Sequence, residues 1–384
     1  MSNFYKRIKL FIWINGIASW IFYPLLKIKD FRNKKYPECY VKEISKPISV
    51  NLSNYFFNGS AYWKNFKNLK SDGLFFAEIP NATIISKGIL LDSKNRVILE
   101  STIFQTEYLN RLNSNHLVFL KGFLPKKKGA NVVSLLNKLD NNYFHWTLES
   151  LTRVLLIHEE PFFRDYKILI KDGALPFVKK SLKFLFNVPE TNIITKTLGE
   201  KLEVKKALVV SFPHIRNVNT RMTNVYMPSV IKRLNELAHK RVNAAKLKFE
   251  RLPKNFIISR KNAISRRILN EEKLIESLSY LNFEQVVLEE LSFEEQVVLF
   301  VGAEKIISSH GAGITNIIYA HDPILIEIFP EERSIRDAYY FVQITGALEI
   351  EHHLFKHKTQ NKKEDMVIGN TMIATFKKIF EASI

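Results

Sequence analysis

Lys305-Ile306-Ile307-Ser308-Ser309-His310-Gly311-Ala312-Gly313-Ile314-Thr315-Asn316 reads as an apolar strand, a small-residue turn and the start of an apolar helix reaching Ala320. Asp322-Pro323 breaks the run, and Ile324 to Phe329 forms another buried strand, stopped by Pro330. A strand, a glycine turn and a helix set bare backbone N–H groups and a positive helix end at one point, which suits an anion such as a diphosphate. The turn has neither the G-x-G-x-x-G spacing of dinucleotide folds nor the lysine of a P-loop.

Working outward, the segments around this turn alternate regularly. Phe256-Ile257-Ile258-Ser259 is a short β-rich run after Pro253. Asn270 is positioned to cap a helix with Glu271 and Glu272 in its first turn. Phe283 to Leu288 is the next strand, and Ser292 with Glu295 signals a capping box for a helix over 293–300. Strands alternating with helices predict an α/β fold with a parallel, doubly wound sheet, whose ligands sit beyond the carboxyl ends of the strands. Those ends carry Arg260, His310 and, just inside the last, Glu327. The loop Ser259-Arg260-Lys261-Asn262-Ala263-Ile264-Ser265-Arg266-Arg267 brings three guanidinium forks that match phosphate oxygens. By itself that loop could equally be a solvated basic surface.

A second constellation lies upstream, in Asn142-Tyr143-Phe144-His145-Trp146-Thr147-Leu148-Glu149 with Arg153. It follows the strand-like Val132 to Leu136. Leu148, Leu151, Leu155 and Leu156 have helical spacing, with Asn142 as cap. His145 and Glu149 are four apart and share one helix face. An imidazole oriented by a carboxylate can accept a hydroxyl proton near neutral pH. The same spacing also arises in ordinary surface pairs. The H-E-x-x-H zinc pattern is absent and Cys39 is the single cysteine, so no metal site is expected.

Taken together, these residues resemble the glycosyltransferase family 61 catalytic domain. The resemblance rests on Asn142 to Trp146 with Glu149 and Arg153, on Ile258-Ser259-Arg260 with Arg266-Arg267 and Asn270-Glu271, and on Leu291 to Gln296. It continues through His310-Gly311-Ala312-Gly313 with Asn316 and ends at Glu327-Ile328-Phe329-Pro330, covering residues 80 to 330 or thereabouts. It implies an inverting, nucleotide-sugar-dependent transferase with two Rossmann-like domains facing across a cleft, the GT-B arrangement. It also implies that the carboxyl half holds the nucleotide and that no Asp-x-Asp metal motif or other cofactor is needed. On this reading His145 and Glu149 are catalytic. Arg260, Arg266, Arg267, His310, Gly311, Ala312 and Gly313 face the donor phosphates, Asn316 and Glu327 face sugar or ribose hydroxyls, and Asn142, Trp146 and Arg153 support the acceptor side. Donor and acceptor would be a nucleotide sugar and a glycan or lipid-linked sugar of surface-polysaccharide synthesis.

Composition bounds the alternatives. The chain has 384 residues, enough for two domains, and 46% hydrophobic content with 29 phenylalanines supplies globular cores. One cysteine leaves no intrachain disulfide framework and suits a reducing cytoplasm. The net charge of +19 fits an anionic membrane face or acidic, diphosphate-bearing substrates; without recognition motifs, nucleic acid is not expected as a partner. Leu10 to Leu26 is uncharged, carries Trp13, Trp20, Phe22 and Tyr23, and has Lys and Arg on both flanks. It reads as a segment lying in, or barely spanning, an anionic leaflet, with the enzyme peripheral on the cytoplasmic inner face. The expected organisation is a membrane-associating segment over 1–35, an acceptor-side α/β domain over 36–248, a nucleotide-sugar-binding domain over 249–360 and a tail helix over 361–384. Short strands around 82–99 form an antiparallel element near the amino terminus. Lys126-Lys127-Lys128-Gly129 reads as a basic surface loop, and the last helix, over 371–381, is expected to pack back on the first domain. A nucleotide-sugar oxidoreductase would need a dinucleotide glycine fingerprint that is missing. A non-catalytic sugar- or nucleotide-binding scaffold stays open.

Overall fold

The computed structural model describes residues 25–26, 40–46, 49–50, 69–70, 73–101, 126–137, 139–215, 225–246 and 252–382. Residues 10–24 of the expected membrane segment and Cys39 lie outside them. Leu25–Leu26 pair in parallel with Val97–Ile98. Among the described residues no helix is long and apolar enough to cross a membrane.

The chain is a mixed α/β protein built on two principal sheets. The first contains β1 (Tyr40–Ser45), β2 (Leu74–Ile85), β3 (Ile89–Leu91), β4 (Val97–Ile98), β5 (Lys126–Ser134), β6 (Lys167–Lys171), β7 (Ile193–Lys196) and β8 (Lys201–Val210). Strands β8, β5, β6 and β7 lie side by side in parallel. Strand β2 joins β8 antiparallel and receives β1 and β3, so the antiparallel element near the amino terminus is continuous with the parallel strands. The basic stretch Lys126–Gly129 is not a loop. It is the first half of β5, in register with Lys201 to Val204, and Gly129 sits close against Val204.

The second sheet is wholly parallel: β9 (Asn255–Ile258), β10 (Glu284–Val286), β11 (Lys305–Ser309), β12 (Ile324–Pro330) and β13 (His352–His357), in the order β10-β9-β11-β12-β13. In chain order this is 2-1-3-4-5, so the winding reverses between β9 and β11. Doubly wound sheets open a crevice at such a reversal, outside the carboxyl ends. Strand β12 is buried along its whole length, as a central parallel strand should be. The edge strand β13 was not anticipated, because His352-His353-Leu354-Phe355-Lys356-His357 carries the polar composition of an edge rather than an apolar run.

Helical segments cover both sheets: α1 over 143–155, α2 (Pro176–Phe186), α3 (Pro228–Ala244), α4 (Glu271–Ser277), α5 (Phe293–Val301), α6 (Ile335–Leu348) and α7 (Asn370–Glu381). One apolar core runs through Trp146 and Leu148 of α1, Ile231 and Leu234 of α3, Val297 and Phe300 of α5 and Ile344 of α6. Phe144 contacts the rings of Tyr226, Tyr340 and Phe341 at 4.9–5.8 Å. Each buried aromatic of this kind stabilises the fold by roughly 1.5–3 kcal/mol, which is ample to fix α1 against α6.

Two local expectations are corrected. Ser292 and Glu295 do form a reciprocal capping box, but Asn270 does not cap α4. Its amide donates to the carbonyl of Ile368 and accepts from the N–H of Ile368, clamping the segment that leads into α7. Helix α7 then packs Ile373, Phe376 and Phe380 on Leu274, Leu278 and Phe283, which belong to the second sheet's flank and not to the first.

Candidate active site

Helix α1 begins where β5 has delivered the chain to the carboxyl end of the first sheet. The Asn142 side chain accepts from the N–H groups of Phe144 and His145 and starts the helix. After one α-turn the backbone widens into a π-helical stretch, Trp146–Leu151, before Thr152–Leu155 closes it as α-helix. Such widened turns concentrate at functional sites because they re-aim side chains. His145 Nδ1 lies 2.7 Å from Glu149 Oε1. A carboxylate only accepts, so a ring proton sits on Nδ1, and in the neutral imidazole Nε2 is the atom with the lone pair.

Glu149 is 1% exposed and is held from three directions. The Tyr226 hydroxyl donates to Oε1 at 2.8 Å, and Asn137 Nδ2 donates to Oε2 at 3.3 Å. Arg153, itself buried, donates to the carbonyls of Glu149 and Ser134 and stacks on Phe212 at 4.3 Å. Burial draws the Arg153 guanidinium down to about 10, with Glu149 pulling the other way. Trp146 is buried, and its indole N–H donates to Ser181. Asn142, Trp146 and Arg153 therefore hold α1 and the dyad in place.

The second half of the site lies at the winding reversal between β9 and β11. His310 Nδ1 is 2.5 Å from Glu327 Oε1, and His352 Nε2 is 3.0 Å from Glu327 Oε2. Glu327 is fully buried; burial alone would raise its pKa, but the hydrogen bond from His310 and the close imidazole of His352 outweigh that and hold the carboxylate below its ordinary range. Its oxygens face two imidazoles, so any influence on a substrate passes through His310. Asn316 is likewise engaged: Oδ1 accepts from the Tyr143 hydroxyl at 2.5 Å and Nδ2 donates to Gln296 at 3.0 Å. That Tyr143 bond ties α1 directly to the 3-10 helix Ala312–Tyr319.

Gly311 leaves room for the guanidinium of Arg260, which a side chain there would push aside. A Cβ there would stand 2.1 Å from Arg260 Nη1, and one at Gly313 would meet Leu288 at 2.9 Å. The Arg260 guanidinium thus lies close against the turn with Nη1 nearest, steadied by the carbonyl of Ser265. Beside it, burial and the neighbouring charges of Arg260 and Arg333 draw Arg266 down to about 10, with Glu364 and Asp337 opposing. Arg267 is occupied elsewhere, donating through Nε and Nη2 to the buried Asp365.

The two halves share one neighbourhood. The ring of Phe341 stands 5.1 Å from His310 and 5.8 Å from Phe144, the residue adjoining His145. The structure brings His145, Glu149, Arg260, Arg266, His310 and Gly311 into this region. Tyr226, Asn137, His352 and Arg333 also belong to this neighbourhood, and none of them falls in a sequence motif. Only Arg333 had a usable signal: it follows the carboxyl end of β12, as Arg260 follows that of β9. Among the described residues no group of three or more His, Cys, Asp or Glu could hold a metal ion.

Residues 143–326, which carry His145, Glu149, the arginine loop and His310, match the family model Glycosyltransferase 61. The chain carries a glycosyltransferase family 61 domain and is a glycosyltransferase. A transferase of this class takes a sugar from a donor and passes it to an acceptor. No curated protein matches the chain.

Proposed function

We propose that this enzyme is an inverting glycosyltransferase that moves a sugar from a nucleotide-sugar donor to a glycan or lipid-linked acceptor of surface-polysaccharide synthesis. The first sheet and its helices then form the acceptor half of a GT-B enzyme and the second sheet the donor half. The enzyme works on the cytoplasmic face of an anionic membrane. The observation that carries this reading is the pairing, around Phe341, of a carboxylate-oriented imidazole with a cationic turn at the sheet's winding reversal.

Displacement proceeds in a single in-line step. The acceptor hydroxyl attacks the anomeric carbon from the face opposite the leaving nucleotide, while His145 Nε2 takes the hydroxyl proton. The bond from the anomeric carbon to the diphosphate oxygen breaks. Negative charge grows on that oxygen, and fixed cations and donors aimed at developing charge lower the barrier. Arg260 and Arg266 supply the cations, and His310, held by Glu327, supplies an N–H when protonated at Nε2. Glu149 stabilises the imidazolium that forms at His145. Arginine provides the positive charge, so no metal is assigned a step.

Thermal-shift titration with UDP, GDP, CMP and dTDP is the first test, and one of them should raise the melting temperature. The transfer product should carry the anomeric configuration opposite to that of the donor, read by NMR, and should form at the same rate in excess EDTA. A retained configuration or loss of activity on chelation defeats the mechanism. No stabilisation by any of the four defeats the donor class.

A further inference from the structure

Arg333 lies outside the matched segment, yet it converges on the same cationic turn. It follows β12 directly, and its guanidinium is held by two carboxylates: Nε donates to both oxygens of Glu364 at 2.8 and 3.0 Å, and Nη1 donates to Asp337 at 2.8 Å. Glu364 Oε2 also stands 3.8 Å from Arg266 Nε. One carboxylate oxygen therefore lies between two guanidinium groups.

That position is built, not incidental. Arg266 is anchored through its backbone: its carbonyl accepts from Ser309 Oγ at 2.6 Å, and its N–H donates to the carbonyl of Lys363 at 2.8 Å. Arg266 and Glu364 both adopt left-handed backbone conformations, at φ 59° and 58°. Non-glycine residues hold that conformation only where surrounding contacts impose it. The Arg266 Nε is buried and makes no hydrogen bond. At 3.8 Å, Glu364 compensates its charge without satisfying its N–H.

A buried guanidinium N–H without an acceptor, beside two further guanidiniums and a glycine turn, needs an oxyanion closer than Glu364 comes. Phosphate oxygens on a diphosphate would bring several acceptors at once and match the arginine forks. Glu289 and Asp337 temper the local charge, but neither is bonded to Arg266 in the structure.

We propose that Arg333 is the third arginine of the donor's diphosphate pocket, and that Glu364 is an internal carboxylate occupying the phosphate position until the donor displaces it. This rests on the donor reading above and adds a specific competitor to it. In the empty pocket Glu364 keeps Arg266 and Arg333 in a common geometry. On binding, a phosphoryl oxygen takes its place and the loop over 358–365 yields.

Inorganic pyrophosphate is the probe, titrated calorimetrically against full-length wild type, Arg333→Ala and Glu364→Gln. Arg333→Ala should weaken binding about tenfold or more, the usual effect of losing a charge-assisted hydrogen bond. Glu364→Gln should tighten it about two- to fivefold by removing a competing ion pair. Should Arg333→Ala lower the melting temperature markedly, Arg333→Lys replaces it, and weaker binding at an unchanged melting temperature supports the assignment. Equal pyrophosphate affinity of the folded Arg333 variant and wild type overturns the role of Arg333. Unchanged or weaker binding by Glu364→Gln overturns the role of Glu364. If wild type itself binds neither pyrophosphate nor any nucleoside diphosphate, the donor site is wrong and the fault lies with the broader reading.

Discussion

His145 with Glu149 and His310 with Glu327 are two versions of one device. In each, a carboxylate fixes the Nδ1–H and leaves Nε2 directed away from it. Their surroundings differ. Glu149 takes its other hydrogen bonds from a phenol and an amide, which are neutral, so its charge is free to answer a proton arriving on His145. Glu327 stands between two imidazoles, so its charge is already shared with His352. The side chain of His145 is 17% exposed and that of His310 is 7% exposed. On the proposed mechanism the first arrangement suits a proton acceptor, and the second a group that faces the donor. On that reading a similar contact serves different tasks according to what stands behind the carboxylate.

The largest effect that can break this distinction comes from removing each imidazole. His145→Ala should lower kcat by about 10²- to 10⁴-fold, the usual cost of losing a general base, while nucleotide-induced thermal stabilisation stays intact. His310→Ala should act chiefly on the donor side, weakening that stabilisation. If His145→Ala keeps more than about a tenth of wild-type kcat, the base lies elsewhere. If the two variants have the same profile in both measurements, the division of labour fails.

A smaller effect follows from the buried carboxylate of Glu327. Its folded-state pKa is lowered, so its stabilising contribution is complete above the ordinary value of 4.5 and disappears as pH falls through the folded value. Asp365, held down first by Arg267, contributes with the same sign. The melting temperature should therefore fall on acidification from about pH 5 downward. Glu327→Gln should flatten that acid limb and start from a lower melting temperature at neutral pH. An unchanged acid limb would mean that the His310–Glu327–His352 cluster does not carry the pH dependence, and would sharpen attention on Asp365.

What could be read from the chain alone follows the range of each interaction. His145 and Glu149 are four residues apart on one helix, so their meeting is a local matter, and the Ser292–Glu295 box is equally local. Arg260 and His310 were accessible through a topological rule, since both sit at strand ends flanking the winding reversal. Tyr226, which arrives from 77 residues beyond Glu149, leaves no trace in local spacing. Arg267 shows the same limit from the other side. In sequence it belongs with Arg266, but Asp365, 98 residues away, captures its guanidinium. Lys126–Gly129 has the lysine composition of a loop, whereas pairing with β8 decides its structure. Glu327 shows that a residue can be found correctly by position while its reach depends on burial that no motif encodes.

The finest prediction concerns the contact joining the two regions. Tyr143 donates to Asn316, and burial pushes the Tyr143 phenol well above its ordinary range, so the hydroxyl is a donor at any working pH. Removing it leaves Asn316 Oδ1 without that bond inside the protein, an arrangement that costs roughly 1–3 kcal/mol. Tyr143→Phe should therefore lower the unfolding free energy by that amount in urea with little change in the m-value. Because the Phe144–Phe341–His310 ring contacts would survive, kcat should change less than for either histidine variant. A kcat loss matching that of His145→Ala, at nearly unchanged stability, would show that this hydroxyl takes part in the reaction and that Tyr143, not the paired imidazoles alone, distinguishes the acceptor side from the donor side.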